Sequence, residues 1–373
     1  MLTTLKQKFN QAIWLEDSSW KRTLKLSKSL IRHKGFWKTY SRFLFQRKSL
    51  LNAVMENAPL PRNLYFEVTN RCNAACAFCP YPEMERDKLT MPLDFFREVI
   101  EQYVAIGGRS VGFTPIVGDP MLDKLLFDRI DYLESVDQIT TLGFYTNAIG
   151  LIPRKIDQFW VPRNISIGLS ISFGGYDKET FRKVMGVDGF DKVRKNLMYL
   201  LERVEASAKP ENLTLKVDYR FPKSSNDDSL AVILSRVQQK GLIKSDTLNG
   251  VFDTFGGSIT QEKLDRAESN FKLNYGVPKT GPCDILFRKP IVLADGRINA
   301  CAERDLETTL IIGDLKTEKL SDILYGKKMV DLIESFYDRN EIPEVCKLCT
   351  VYQPIYDPRS KVWSKSKDLN WRN

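Results

Sequence analysis

The 373-residue sequence predicts an α/β protein built on a partial (β/α)6 barrel of the TIM type. Short apolar runs alternate with longer helical patterns over residues 62–258, positive charge concentrates at the N-terminus, and four of seven cysteines follow residue 258. We therefore expect a basic helical extension at 1–58, the barrel at 59–258, a small α+β domain at 259–350 and a tail at 351–373.

The extension reads as helical and basic. It holds 12 Lys and Arg against 3 Asp and Glu, which accounts for the whole net charge of +9. Trp20, Leu24 and Ile31 recur at helical spacing, and basic residues occupy a different face. Two interpretations remain open: helices packed on the body with solvated charges, or an amphipathic segment on an anionic membrane surface. Pro59-Leu60-Pro61 ends the segment, because proline stops a helix.

Within the barrel region, apolar runs predict strands and 3.6-residue patterns predict helices. The expected strands are Asn63–Thr69, Ser110–Ile116, Ile139–Thr146, Ile165–Ser172, Leu213–Phe221 and Leu248–Phe255. The expected helices are Met91–Ile106, Met121–Ser135, Phe190–Val204 and Ser229–Lys240. Strands that alternate with helices form parallel sheets, and parallel barrels place their chemistry at the carboxyl ends of the strands.

The C-terminal region has a different rhythm. Two short strand-like pieces, Pro290–Ala294 and Arg297–Cys301, flank Asp295-Gly296, which is a hairpin signal. A helix is expected over Leu320–Phe336. The last 23 residues, rich in Lys, Ser and Trp, predict a loosely attached tail.

Composition excludes several kinds of site. His33 is the only histidine and lies in the extension, so no histidine-based triad or two-histidine metal site can form in the body. No apolar stretch approaches the roughly 20 residues that span a bilayer, and no secretory signal is evident. We expect a cytoplasmic protein, membrane-associated at the inner face if the extension binds lipid. Seven cysteines in that reducing compartment indicate metal or redox chemistry.

Cys72, Cys76 and Cys79 follow the first predicted strand in a C-x3-C-x2-C array. Three thiolates on one loop can ligate three irons of a [4Fe–4S] cube and leave the fourth iron open. The alternatives are a zinc site or buried free cysteines. Zinc favours four ligands, often with histidine, and here only three are local.

This array resembles the motif of the radical S-adenosylmethionine (radical SAM) superfamily. The resemblance implies that the three cysteines hold a [4Fe–4S] cluster and that Phe78 packs near the adenine of SAM. It also implies that the cluster, reduced by an external donor such as flavodoxin or ferredoxin, cleaves SAM to a 5′-deoxyadenosyl radical, which abstracts hydrogen from substrate. It covers about residues 62–350.

The later strand ends agree with the resemblance. Gly118-Asp119-Pro120 is similar to the family's Gly-Gly-Glu-Pro turn, with a shorter carboxylate, which implies contacts to the SAM amino group. Asn147 follows the third strand in a Thr-Asn pair that resembles the family's Thr-Asn-Gly. Ser170 and Ser172 on the fourth strand resemble the ribose- and carboxylate-contacting position. Each motif alone is a common turn signal, so their order carries the interpretation.

The other four cysteines, Cys283, Cys301, Cys346 and Cys349, can fully ligate one further metal centre. The spacing alone suits a zinc site with four thiolate ligands equally well. The arrangement resembles the auxiliary-cluster domain, of the twitch or truncated SPASM type, found in radical SAM enzymes. That resemblance implies one auxiliary [4Fe–4S] cluster without an open iron, and therefore a role in electron transfer.

Three functions remain open from the sequence. The first is oxidation of a carbohydrate or cyclitol-like alcohol, as in twitch-domain dehydrogenases, with the auxiliary cluster as electron acceptor. The second is radical crosslinking or epimerisation of a peptide, and the third is a zinc-binding protein without enzymatic activity. Substrate is expected to be a small molecule, a glycan or a peptide, and not nucleic acid. By strand alternation, one face of the fifth strand carries Lys216, Asp218 and Arg220, and Glu67 holds a similar place on the first strand. Arg220 and Glu67 are the catalytic candidates if this face meets the substrate, and the alternative for each is an internal salt bridge that supports the barrel.

Overall fold

The computed structural model describes residues 36–56, 63–207, 209–221, 229–247, 251–266, 271–274, 279–338, 340–357 and 360. The strands in this part of the chain are β1 (Leu64–Phe66), β2 (Ser110–Phe113), β3 (Thr141–Thr146), β4 (Ser166–Phe173), β5 (Leu213–Tyr219), β6 (Lys244–Thr247), β7 (Val251–Phe252), β8 (Lys272–Leu273), β9 (Ile291–Val292), β10 (Arg297–Asn299) and β11 (Ile311–Asp314). Nine of them form one sheet in the order β11-β10-β9-β1-β2-β3-β4-β5-β6.

Helices connect these strands. They are α1 (Phe36–Glu56), α2 (Leu93–Ala105), α3 (Leu126–Glu134), α4 (Pro153–Gln158), α5 (Lys178–Met185), α6 (Phe190–Ala206), α7 (Ser229–Gln239), α8 (Gln261–Arg266), α9 (Ile285–Arg288), α10 (Leu320–Leu324), α11 (Lys327–Ser335) and α12 (Glu344–Leu348). Strands β1 to β6 pair in parallel, which confirms the α/β partial barrel expected from the alternating pattern. Among the described residues, no helix is both long and apolar enough to span a bilayer.

The two faces of the barrel sheet differ in packing. Phe66, Phe113 and Phe144 point outward into the core beneath the helices, where aromatic rings make edge and stacked contacts. On the inner face, Gly112, Gly143 and Gly168 lie side by side in register. Branched side chains usually fill a parallel barrel at such positions. Here the space beside Gly143 is open, because a Cβ there would meet no atom within 4 Å, whereas a Cβ at Gly112 would lie 2.3 Å from the Tyr65 ring.

The predicted sixth strand was misplaced. The sixth strand of the barrel is β6, at Lys244–Thr247, and not Leu248–Phe255. Within the predicted range, β7 instead pairs with β8 in a separate two-stranded sheet. Local apolar character could not distinguish these strands, because strand partners are chosen by tertiary packing.

Two predicted helices were too long. The helix expected over Met121–Ser135 is preceded by a 3-10 turn and begins as an α-helix at Leu126. The helix expected over Leu320–Phe336 is two helices, α10 and α11, separated at Tyr325 and Gly326.

The first part of the expected loose tail is packed into the fold. Tyr352, Ile355 and Tyr356 are buried in the main core, and the backbone of Ile355 donates to the carbonyl of Pro282 (3.0 Å). Residues 351–357 therefore belong to the body, and residues 361–373 lie outside the described part. The wider division into four domains stays a prediction.

The described part of the basic extension is the helix α1. Phe43 packs against the ring of Tyr356 at 5.6 Å, and the Arg42 guanidinium donates to the Tyr356 carbonyl (3.3 Å). On another side, Leu44 and Phe45 are exposed, with 83% of Phe45 accessible. The helix thus docks one side on the body, and the prediction of helices before residue 36 lies outside the described residues.

Candidate active site

The loop that carries Cys72, Cys76 and Cys79 follows β1 and is held by the end of α5. The backbone N–H groups of Ala75 and Ala77 donate to the carbonyls of Met185 and Val184, each at 3.0 Å. Gly186 caps α5 with φ of 70°, and a Cβ there would lie 2.0 Å from the Ala75 oxygen. Only glycine fits this close approach, so the helix end fixes the path of the loop.

The three cysteines of this loop are half-buried, and their thiols interact with one another. Burial raises the pKa of Cys72 to about 12, with the nearby Asp119 adding to the rise. Burial also raises the pKa of Cys79, and the pKa of Cys76 is raised by burial and by the adjacent Cys79 and Cys72. Buried thiols ionise when bound metal supplies positive charge. Three such thiols on one loop fit three corners of an iron–sulfur cube.

The turn after β2 packs directly on the chain that enters this loop. Gly118 has φ of 112°, and a Cβ there would lie 2.6 Å from the carbonyl oxygen of Thr69. The backbone N–H of Asp119 donates to the carbonyl of Arg71 (2.8 Å), one residue before Cys72. The turn therefore sets the position of the first ligand.

The Asp119 carboxylate is turned inward. It accepts hydrogen bonds from the Thr146 hydroxyl (2.9 and 3.0 Å) and from the backbone N–H groups of Asn147 (2.8 Å) and Met121 (2.9 Å). Burial raises the pKa of this carboxyl, and the hydrogen bonds oppose the rise. The side chain joins the ends of β2 and β3, with Pro120 buried beside it. These contacts use both carboxylate oxygens, so Asp119 acts here as a positioning residue.

Asn147 extends this connection to the cysteine loop. Its Nδ2 donates to Asn73 Oδ1 (2.7 Å) and lies 3.7 Å from Cys72 Sγ. The backbone N–H of Cys72 donates to the Tyr81 hydroxyl (2.9 Å). Neighbouring strand ends thus orient Cys72.

Arg220 lies where the lumen meets the cysteine loop. Its guanidinium donates to Ser172 Oγ (3.3 and 3.2 Å) and lies over the rings of Phe78 (5.4 Å) and Tyr145 (5.9 Å). Burial raises the pKa of Cys76 and of Cys79, and the Arg220 charge acts in the opposite direction on both thiols. Ser170 lies on the same inner face, two residues before Ser172 along β4. A guanidinium and hydroxyls in this arrangement suit a carboxylate or a polyol.

Phe78 stacks on Phe252 of the second, two-stranded sheet. The ring centroids are 5.6 Å apart with an interplanar angle of 12°. The expected adenine-packing side chain is therefore fixed between the sheet of β7 and β8 on one side and Arg220 on another. Its predicted contact with SAM stays a prediction.

The expectation for Glu67 needs correction. Its carboxylate is buried and forms a two-pronged ion pair with Arg86, at 3.1 and 2.7 Å. Arg86 also donates to the Leu306 carbonyl (2.9 Å). Glu67 thus joins β1 to the C-terminal region, and its ion pair with Arg86 leaves it closed to substrate. The prediction was wrong because strand alternation gives the direction of a side chain but not its partners.

The four remaining cysteines gather in one place. Burial raises the pKa of Cys283 to about 12, and Cys349 contributes to the rise. Burial likewise raises the pKa of Cys346 and Cys301, and the other thiols of the set add to it. Among the described residues, no three His, Cys, Asp or Glu side chains converge as closely as a single ion requires.

A buried cation faces this second set. Lys279 is 7% exposed, and its Nζ donates to the Cys349 carbonyl and lies 4.4 Å from the centre of the Tyr352 ring. Burial lowers the pKa of Lys279, while Cys349, Cys283 and Cys346 act in the opposite direction. Among the described residues, no carboxylate lies within ion-pair distance of it. A buried ammonium needs a counter-charge, which an anionic thiolate-ligated cluster supplies.

Arg304 lies between the two sets of cysteines. It makes a two-pronged ion pair with Asp253 (2.7 and 3.0 Å), and its guanidinium stacks over Phe255 at 4.8 Å. Its positive charge lowers the pKa of Cys79 of the first set and interacts with Cys349 of the second. The two sites are therefore neighbours in one electrostatic environment.

Sequence reasoning missed several of these residues. Lys279, Arg304 and the ion pair of Lys289 with Glu303 beside the Tyr65 ring carry no motif. Gly186 could have been found, because a glycine after a helical pattern is a common helix end.

Two family models match the chain. The radical SAM superfamily matches residues 66–208, and the SPASM family, described as an iron–sulfur cluster-binding domain, matches residues 283–350. The first range contains the C-x3-C-x2-C loop, and the second contains all four remaining cysteines.

A curated relative and two solved structures are similar to the chain. GTP 3′,8-cyclase of Staphylococcus haemolyticus is 25% identical over 231 residues, or 58% of this chain and 64% of that protein. The chain thus spans slightly less than two thirds of this relative. BtrN in complex with AdoMet and 2-DOIA gives a TM-score of 0.51 at 17% identity, over 78% of this chain and 94% of BtrN. Streptococcus suis SuiB bound to the precursor peptide SuiA gives a TM-score of 0.55 at 15% sequence identity, over 81% of this chain and 73% of SuiB.

The structures share the fold, and the family models account for the cysteines. They imply SAM and a [4Fe–4S] cluster at the first set and an auxiliary iron–sulfur centre at the second. The chain therefore contains a radical SAM domain at residues 66–208 and a C-terminal SPASM-type iron–sulfur domain at residues 283–350.

Proposed function

We propose that this radical SAM enzyme oxidises a hydroxyl-rich small molecule, such as a carbohydrate or cyclitol, to a carbonyl compound. The observation that carries the proposal is the complete set of four thiols beside Lys279. Four ligands leave no open iron for substrate, so the second centre suits electron transfer. An alcohol oxidised by loss of a hydrogen atom and a proton leaves one electron, which needs such an acceptor.

When bound, SAM and the two clusters supply the radical that takes the C–H hydrogen atom and the acceptor that takes the remaining electron. The chain's own residues orient the substrate and take the hydroxyl proton. We assign orientation to Arg220, whose guanidinium is held by Ser172 and faces the lumen. We assign the proton to Asp218, which lies on the same inner face with Lys216 Nζ at 2.9 Å.

The open space beside Gly143 supports the binding of a substrate on the inner face of the sheet. The inner face is lined by the glycine row Gly112, Gly143 and Gly168 and, one pleat higher, by Tyr145 and Ser170. Ring faces and hydroxyl groups bind sugars and cyclitols well, because such substrates combine apolar C–H faces with hydroxyl edges.

The test uses reconstituted holoenzyme, prepared without oxygen, with SAM, dithionite and a panel of polyols deuterated at carbon. The expected result is deuterium in 5′-deoxyadenosine together with a product lighter by two hydrogens. A peptide substrate that transfers deuterium while every polyol fails would overturn the proposal.

A matched pair of variants separates substrate binding from SAM cleavage. Gly143→Leu fills empty space, so we expect ordinary stability and substrate-independent SAM cleavage but loss of polyol oxidation. Arg220→Met should impair SAM cleavage as well, because Arg220 adjoins Phe78 and the cysteine loop. Unchanged polyol turnover in Gly143→Leu would remove the lumen from the substrate path.

Peptide modification is the second candidate function. PqqA peptide cyclase of Rhodopseudomonas palustris is 32% identical to this chain over 98 residues, which are 26% of the chain. The open lumen would also admit a peptide segment. The same deuterium-transfer assay distinguishes the two, because a crosslinked peptide also loses two hydrogens but is recovered as peptide.

We also propose that α1 brings the enzyme to an anionic membrane. Leu44 and Phe45 are exposed on the helix, and Lys38 and Lys48 are exposed beside them. Apolar side chains next to basic ones bind anionic lipid surfaces. Co-sedimentation with vesicles containing phosphatidylserine should fall for Phe45→Ser, and equal binding to neutral vesicles would contradict the proposal.

A further inference from the structure

Lys279 is a buried cation whose described contacts all lead to the second set of cysteines. Its ammonium donates to the Cys349 carbonyl and lies against the face of the Tyr352 ring. Tyr352 is itself held in place, because its hydroxyl accepts from the Thr280 N–H (2.8 Å) and donates to the Gly281 carbonyl (2.6 Å). The ammonium position is therefore defined by packing on both sides.

Its surroundings make this charge effective. Lys279 is almost fully shielded from solvent, and among the described residues it has no ion pair with a carboxylate. Other nearby cations are paired: Arg304 with Asp253, and Lys289 with Glu303. A paired cation contributes little net potential, whereas an unpaired one in a low-dielectric site acts strongly over several ångströms.

We propose that Lys279 sets the reduction potential of the auxiliary iron–sulfur cluster and holds it high enough for the cluster to accept an electron. A four-iron cube with four thiolates is anionic, and one added electron makes it more so. A fixed positive charge stabilises the reduced form more than the oxidised form. The functional reason for a high potential rests on the electron-accepting role proposed above, but the effect of Lys279 on the potential can be measured without it.

The experiment is a potentiometric titration of the full-length holoenzyme, followed by electron paramagnetic resonance. The signal that changes on addition of SAM is assigned to the first cluster, and the reduction potential of the auxiliary cluster is read from the remaining signal. Lys279→Met removes the charge and keeps an apolar stem against Tyr352, whereas Lys279→Arg keeps the charge. Lys327→Met is the matched control, because it removes a positive charge from the same domain at a side chain that is 85% exposed.

We expect Lys279→Met to lower the equilibrium constant for reduction of the auxiliary cluster at least about tenfold, a fall of about 59 mV. Lys279→Arg should restore most of the loss, and Lys327→Met should leave the potential unchanged, because solvent and salt screen exposed charges. An unchanged potential in Lys279→Met at full iron content would overturn the proposal.

A second variant covers failure of cluster assembly. If Lys279→Met loses iron, Lys279→Gln is titrated in its place. If both uncharged variants lose the auxiliary cluster while Lys279→Arg retains it, the charge serves retention and not potential, and the proposal fails. Polyol turnover is scored separately, so a correct potential shift with no oxidation would refute the proposed function alone.

Discussion

Replacement of Asp119 by asparagine tests whether this carboxylate positions the site or binds SAM directly. In the structure it accepts from Thr146 and from two backbone N–H groups, those of Asn147 and Met121. Asparagine retains one acceptor oxygen and places an NH2 group opposite a backbone donor. One buried N–H then loses its partner, at about 1–3 kcal/mol, and the remaining bonds lose their charge assistance, at about 1 kcal/mol.

We therefore expect Asp119→Asn to lower the free energy of unfolding by about 2–4 kcal/mol, measured by urea denaturation of the apoprotein under reducing conditions. Thr146→Val and the double variant complete a thermodynamic cycle, with an expected coupling of about 1–2 kcal/mol. A loss of SAM affinity with stability within about 0.5 kcal/mol of the natural sequence would refute the positioning role and support the direct contact implied by family resemblance.

Three further predictions concern stability. Gly118→Ala should lower the free energy of unfolding by at least about 2 kcal/mol and reduce iron loading. The control Gly241→Ala, also at positive φ but with no atom within 4 Å of the added Cβ, should lower it by only about 1 kcal/mol. Equal losses would show that backbone strain, and not the steric clash, dominates. Arg86→Met should lower the free energy of unfolding by about 3–5 kcal/mol, because it leaves the buried Glu67 carboxylate without its ion-pair partner. Adding Glu67→Gln should recover much of this loss, and no recovery in urea denaturation would contradict that account. Although burial acts to raise it, hydrogen bonds from Thr180 hold the pKa of Asp177, the N-cap of α5, below its usual range. The cap therefore stabilises the fold above about pH 4, and this stabilisation is lost as the pH falls through the folded pKa. Asp177→Ala should lower the free energy of unfolding by about 1 kcal/mol near neutral pH and by less in denaturation at acidic pH. A difference that stays constant with pH would contradict the role of the cap.

The sequence was informative where a feature is local. Residue spacing is enough to find the C-x3-C-x2-C loop, and the rule that parallel strands end together gives meaning to the order of the strand-end motifs. The family match confirms the prediction that this part of the chain is a radical SAM domain. The alternation of β5 likewise put Lys216, Asp218 and Arg220 on one face, where the structure has them.

What failed depended on distant partners. Glu67 sits at a plausible strand position, but Arg86, which is 19 residues away, neutralises it. The tail reads as polar and loose, yet Tyr352 and Tyr356 are buried against segments some 70 or more residues earlier. Lys279 resembles any surface lysine until Tyr352 and Cys349 are brought onto it. Side-chain partners at such separations are set by tertiary packing, which local patterns do not encode.

The pairing of β9 with β1 bears on how this protein can be engineered. β1 has only three residues and pairs in parallel on one side with β2 and on the other with β9, through Tyr65 with Ile291 and Phe66 with Val292. Truncation of the chain before residue 283 would turn β1 into an exposed sheet edge, and unprotected edges promote self-association and insolubility. The catalytic barrel should therefore not be expressible alone, and exchange of its C-terminal portion with that of a homologue would have to retain a strand that covers β1.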